Sequence, residues 1–186
     1  DINVILVCQN FIGDRTVFQQ MVASEFADTK VLYIEGNGDL RSLLIKKGIE
    51  ATSTKYVSLL DYDDTTSVYG LSSAICKLEE NSEWAAVFGK IVQYEAECQE
   101  NSRYLRGKIQ EFYTTHLRCY IVQNPFPIHA AVINREVVTD LSEYVDESIL
   151  AFEDYWIFLQ IVTNHSCGIL PREILMGHYF SYLDSE

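Results

Sequence analysis

The stretch Lys55 to Thr66, KYVSLLDYDDTT, delivers three carboxylates, Asp61, Asp63 and Asp64, directly behind an apolar run. On an extended backbone residues two apart point to the same side, so Asp61 and Asp63 can share one cation while Tyr62 points away. Clustered carboxylates repel one another unless something positive sits among them, and hard oxygen ligands favour Mg²⁺ or Mn²⁺. The alternative is a solvated acidic turn that caps the next helix. A second stretch, Ile149 to Val162 (ILAFEDYWIFLQIV), is apolar enough for a buried helix, yet holds Glu153 and Asp154 in its middle. Burying two carboxylates is costly unless they are paired or used. Otherwise both lie on a solvated face or cap a helix that starts after Phe152. His165 and His178 read as ordinary surface or core histidines.

The elements that must position these acids follow from hydropathy. Tyr56, Val57, Leu59 and Leu60 have the length and composition of a buried strand. Upstream, Ile2 to Val7 reads as a strand covered on both faces, Thr16 to Phe26 as an amphipathic helix and Val31 to Ile34 as a strand. Gly36-Asn37-Gly38 forms a loop and Leu40 to Ala51 a second helix. The order β-α-β-α-β implies a largely parallel sheet with right-handed crossovers, and ligands in such sheets sit at the carboxyl ends of strands, where Asp61 to Asp64 fall. Downstream, the pattern predicts a helix over Leu71 to Glu80, a strand over Trp84 to Val92, an exposed helix within Gln93 to Leu117, a short strand over His129 to Ile133 and a helix over Glu136 to Tyr144. The tail gives strand-like ILPREIL and then GHYFSYL. No repeat, low-complexity tract or Gly-rich phosphate loop is present.

With 186 residues, 48% of them hydrophobic, one domain with a proper core is expected. Fourteen basic against 27 acidic residues, net −13, oppose nucleic acid or anionic lipid as a partner. A phosphate ligand would need a divalent cation to supply positive charge. Five widely spaced cysteines without a CxxC pair (Cys8, Cys76, Cys98, Cys119, Cys167) read as reduced, buried thiols in a cytoplasmic setting. No signal peptide is visible, and no apolar run reaches the length of a membrane span. The chain begins at Asp1 without a methionine and enters a strand almost at once, as expected of a piece of something longer.

Together these stretches resemble a family-2-type glycosyltransferase. NGDLRSLLIKKGIEATSTKYVSLLDYDD is similar to the family's Asn/Gly loop, helix ending near Gly-Ile, and strand delivering a DxD motif. DRTVFQQMV is similar to its helix start after a strand, PIHAAVINREVV to its acceptor-side strand, and FEDYWIFLQIV to its ED helix. The resemblance implies an α/β fold of the GT-A (Rossmann-like) type, a mostly parallel central sheet flanked by helices, over residues 1–186. It implies transfer of a sugar from a nucleotide-diphosphate donor to a carbohydrate or other hydroxyl acceptor, with inversion, in polysaccharide biosynthesis. Asp61 and Asp63 would hold Mn²⁺ or Mg²⁺ against the diphosphate, with Asp63 the direct ligand. Asp154 would be the general base and Glu153 its orienter. Gln9, Asn10, Asn37, Gly38, Lys46, Tyr62 and Asp64 would contact the nucleotide sugar.

The chain departs from the pattern in places. Gln9 or Asn10 stands where an aspartate is usual, and Ile45-Lys46 where Arg-Asn is usual, leaving Lys46 or Arg41 to meet phosphate. The family's first strand has no counterpart if Ile2 to Val7 is the second; a competing register makes it the first. Two other functions fit. A GT-A-like domain without donor chemistry would serve as a binding module. VSLLDYDDTT also fits the DxDxT motif of haloacid-dehalogenase-type phosphatases, in which Asp61 would attack phosphorus and Asp63 act as acid/base.

Overall fold

A computed structural model describes residues 2–26, 28–99 and 102–182, and the side chains of all of these except 98, 99, 102–104 and 182. The chain opens with β1 (Val4–Gln9), α1 (Arg15–Glu25), β2 (Thr29–Ile34) and α2 (Arg41–Ala51). β1 and β2 pair in parallel, as the intervening helix requires. Asp14 starts α1 by accepting from the Thr16 and Val17 N–H groups on its side chain. Every residue of β1 is only half-buried, although two-sided cover was expected.

The sheets are mixed rather than mostly parallel. The expected third parallel strand contributes only β3 (Tyr56–Val57), which leaves the β1–β2 sheet and runs antiparallel to β8 (Ala131–Asn134). β8 pairs antiparallel with β5 (Ala86–Phe88), and β5 parallel with β9 (Cys167–Ile169). Gly89 splits the apolar run Trp84 to Val92 in two, and β6 (Lys90–Gln99) enters another sheet. That sheet is ordered β4 (Thr65–Thr66), β10 (Leu175–Tyr182), β6, β7 (Ser102–Phe112). β10 shows why a glycine is needed there: a Cβ on Gly177 would lie 2.2 Å from the Thr65 carbonyl oxygen of the neighbouring β4.

The helix expected within Gln93 to Leu117 is instead the β6–β7 hairpin. Val92, Tyr94 and Ala96 alternate with more polar positions and stack beside β10, which registers His178 on Val92 and Phe180 on Tyr94. Polar residues that looked helical include cross-strand partners: Gln110 donates to Gln93 directly opposite (2.7 Å), and Arg106 pairs with Glu97. Residues 100 and 101 of that stretch lie outside the described residues, as does Leu183 at the end of GHYFSYL. ILPREIL is not one strand; it closes β9, turns at Pro171 (Ile174 N–H to Pro171 C=O, 2.9 Å) and opens β10.

The helix expected over Glu136 to Tyr144 reduces to a 3-10 turn at Leu141–Tyr144. Val138, Leu141 and Val145 are buried at helical spacing, and Asn134 caps a first turn, its side chain accepting from the Glu136 N–H and its carbonyl from the Val138 N–H, but that turn does not continue into a helix. The core lies between α3 (Val68–Glu80), the β3-β8-β5-β9 sheet and α4 (Glu153–Asn164), with Leu78, Phe88, Ile133, Ile157, Phe158 and Ile161 almost sealed from water. Cys8, Cys76, Cys119 and Cys167 are free thiols, none fully buried and Cys76 exposed, contrary to the buried placement expected; the Cys98 side chain lies outside the described residues. No helix among the described residues is long and apolar enough to cross a membrane.

Candidate active site

The acidic turn hangs between two sheets. β3 stops at Val57, short of the strand to Leu60 that composition suggested, and Ser58 hooks the departing chain to β8 through the Ala131 carbonyl (3.0 Å). The turn closes with the Asp64 N–H on the Asp61 carbonyl (3.2 Å). Asp64 is its anchor: buried, it accepts from the Phe180 N–H of β10 at 2.9 Å, and its other oxygen lies 3.3 Å from His129 Nδ1. Burial lowers the His129 pKa to about 4, so this imidazole is neutral at pH 7. Asp61 and Asp63 reach towards solvent, and Tyr62 between them is fully exposed.

The second pair of acids opens α4 rather than sitting mid-helix. Glu153 and Asp154 occupy the first turn, where the helix N-terminus favours negative charge. Phe152, which caps the helix without a side-chain hydrogen bond, adopts a left-handed backbone (φ 64°, ψ 31°). For a bulky residue that conformation costs about 1–2 kcal/mol, so the surroundings must impose it. They do so from α2. Ser42 donates to the Ile149 carbonyl (2.6 Å), and Arg41 donates to the Leu150 carbonyl (3.1 Å) while holding Asp39 through two nitrogens. Arg41 also lies 3.4 Å from Glu153 Oε1. Glu153 is buried, and its Oε2 has no hydrogen-bond partner among the described residues.

Asp154 accepts from Asn124 Nδ2 at 3.0 Å and from the Tyr155 N–H at 2.6 Å. Burial raises its pKa, Glu153 adds to the rise, and these two hydrogen bonds oppose it. Asp61 is raised first by the protein packed around it, although it reaches water, and then by the charges of Asp63, Glu153 and Asp154, with Arg41 pulling the other way. The two acidic segments, remote in sequence, thus share one electrostatic site. Tyr179 of β10 joins it, its hydroxyl raised by burial and then by Asp64, Asp63, Asp61 and Asp154.

The other expected contacts form a second cluster. Gln9 donates to the Gly38 carbonyl (2.8 Å), and Asn10 (φ 47°) holds Gly36 through both its N–H (3.0 Å) and its carbonyl (2.7 Å), fixing the loop with Asn37 and Gly38 exposed at its tip. Lys46 belongs to neither cluster, being paired with Glu147 at 2.7 Å. Clefts lined by Lys77, Trp84 and Tyr113, and by Arg118, Val162 and His165, share no residue with the acids.

Solved structures share the fold. S. aureus TarS residues 1–349 superpose with a TM-score of 0.67 at 15% identity, covering 96% of this chain and 51% of that one. The same TarS piece in complex with UDP-GlcNAc gives 0.63 at 14%, covering 99% and 50%. This chain has the glycosyltransferase TarS fold. It spans about half the length of those structures. No family model and no curated protein matches the chain.

Within that fold, Asn124 and Tyr179 are the site neighbours that sequence reasoning missed. Asn124 stands in a proline-flanked loop with no motif around it, and Tyr179 in a strand whose pairing was not foreseen. Arg41 was foreseen only as a phosphate contact, and its grip on Glu153 was not. The clamp is testable by stability. Arg41→Ala removes the cation facing a buried carboxylate, but the guanidinium is half in water, so the loss is expected at about 1–2 kcal/mol rather than the larger value of a sealed pair. In a double-mutant cycle with Glu153→Gln, read by urea unfolding, the two losses fall short of additive; strict additivity rejects the clamp.

Proposed function

We propose that this chain forms the donor-binding and catalytic part of a glycosyltransferase that uses a nucleotide-diphosphate sugar and inverts at the anomeric carbon. The observation that carries the reading is the glycosyltransferase TarS fold of the chain, within which the DxD turn at Asp61 and the candidate base at the start of α4 lie near enough for their charges to act on one another. The TarS structures in complex with UDP and UDP-GlcNAc support a UDP-linked sugar as donor.

In this reading Asp154 takes the proton from an acceptor hydroxyl as that oxygen bonds to the anomeric carbon. The bond from that carbon to the diphosphate breaks, and its electron pair leaves with the nucleotide. A raised carboxyl pKa suits a base, because it strengthens proton capture near operating pH. Asn124 and the Tyr155 N–H hold the carboxylate in one orientation. Arg41 keeps Glu153 beside it.

Asp61 and Asp63 would hold Mn²⁺ or Mg²⁺. The fit is to a cation shared with substrate: no three His, Cys, Asp or Glu side chains among the described residues converge as a protein-only cage. Mg²⁺ is commonly bound through one or two carboxylates plus substrate phosphates, and two adjoining carboxylates, Asp61 raised in part by the charge of Asp63, provide that half-site. When bound, the ion neutralises charge developing on the departing diphosphate. The exposed tip at Asn37 and Gly38 and the ring of Tyr62 offer surfaces for the nucleotide.

Calorimetric titration with UDP-GlcNAc, with and without MnCl₂, tests the reading. Binding is expected to depend on the metal and to weaken at least about tenfold in Asp63→Asn, the scale of losing a charge-assisted contact of about 1.4 kcal/mol. Absence of metal-dependent binding by the wild type would favour the non-catalytic binding module. Trapping of an aspartyl-phosphate on Asp61 would favour the phosphatase.

A further inference from the structure

We propose that Phe152 positions the acceptor by taking the apolar face of a sugar ring, so that the acceptor is a cyclic carbohydrate. The inference rests on the reading of Asp154 as the base. Phe152 directly precedes Glu153 and Asp154 at the open end of α4 and is 71% exposed. Among the described residues no ring–ring or cation–ring contact engages it, and most of its surface meets solvent. Its backbone is nonetheless locked in the left-handed region, with the two preceding carbonyl anchors, Ile149 and Leu150, gripped by Ser42 and Arg41. With the backbone fixed, only the two side-chain torsions of the ring are left to order when a ligand settles on it.

The neighbouring polar group points to the same ligand. Glu153 is 9% exposed, and its Oε2 is buried without a hydrogen-bond partner, an acceptor atom that lacks a donor. A cyclic sugar offers both complements at one edge: a face of C–H groups to meet the negative face of an aromatic ring, and hydroxyls to donate to carboxylates. A hydrocarbon chain would suit Phe152 but would strip water from Glu153, Asp154 and Asp61 without hydrogen bonds in return. A net charge of −13 also opposes an anionic membrane surface.

The test needs no donor. Methyl glucopyranoside and methyl N-acetylglucosaminide, at millimolar concentration, are followed by saturation-transfer NMR on wild type, Phe152→Gly, Phe152→Leu and Phe152→Trp. Binding is expected to weaken about tenfold in Phe152→Gly, less in Phe152→Leu, and to return in Phe152→Trp, with acceptor KM in the transfer assay moving in the same order. Phe152→Gly should unfold no earlier than wild type on heating, because glycine accepts the left-handed backbone, so weakened binding is not misfolding. Equal glycoside binding by wild type and Phe152→Gly overturns the proposal. So does adsorption of wild type, but not Phe152→Gly, to phosphatidylcholine vesicles. If UDP-GlcNAc does not bind while Phe152-dependent glycoside binding persists, it is the transferase reading that fails and not the carbohydrate surface.

Discussion

Asp154→Asn is expected to lower sugar transfer by about 10²–10⁴-fold, the usual contribution of a general base, while UDP-sugar affinity stays within about twofold. The amide is the same size but keeps a single acceptor oxygen, so it can retain the Asn124 or the Tyr155 N–H hydrogen bond and not both, a cost of about 1 kcal/mol beside the lost proton capture. Stability separates this from damage to the fold. Burial raises the Asp154 carboxyl, so its favourable linkage to folding is fully present below the unfolded pKa and is lost as pH rises through the higher folded value. At pH 7 the ionised carboxylate therefore weighs against the native state. Asp154→Asn should unfold within about 1 kcal/mol of wild type, and the wild-type rate should rise with pH along an acidic limb lying above the ordinary aspartate range. Unchanged turnover in Asp154→Asn, measured by release of UDP, would remove the base assignment.

Phe88→Ala is expected to cost about 3–5 kcal/mol, the range for truncating a buried aromatic, and to lower the thermal midpoint by about 10 °C for a domain of this size. Phe88 is sealed from water, and its ring lies 5.2 Å from Phe158 of α4, 5.6 Å from Tyr120 and 5.6 Å from Phe126. Three elements that meet nowhere in sequence converge on it. Tyr155 donates to the Tyr120 carbonyl at 2.7 Å, so a cavity at Phe88 also loosens the start of α4. Urea unfolding should show a lower midpoint with an unchanged slope. A loss below 1 kcal/mol would mean that the cluster collapses around the gap and does not hold α4.

Local chemistry made the acids legible, because a DxDD turn and an Glu-Asp pair at the edge of an apolar run are patterns of adjacent residues. The first two βα units were legible for the same reason: Asp14, Gly36-Asn37-Gly38 and the spacing of Leu43, Leu44 and Ile49 are short-range signals. Pairing was not. β3 has two residues and owes its place to β8, and the β6–β7 hairpin exists because β10 arrives in parallel beside it from the far end of the chain. Charges at i, i+3 such as Lys108 and Glu111 fit an exposed helix equally well until that neighbour is present. Val138, Leu141 and Val145 carried a true helical period in burial, and Asn134 a capped first turn, but only the 3-10 turn at Leu141–Tyr144 forms. Lys46 looked like a phosphate ligand only while Glu147 was invisible to it.

Asp64 has a consequence for how this turn should be dissected. Of its three adjacent aspartates, two face outward and one is bolted beneath them to Phe180 and against His129. An alanine scan scored on turnover alone would return all three as essential and count one residue too many in the catalytic set. Circular dichroism melts run beside the assays would sort them: loss at position 64 arrives with a destabilised domain, whereas loss at 61 or 63 leaves the melt intact.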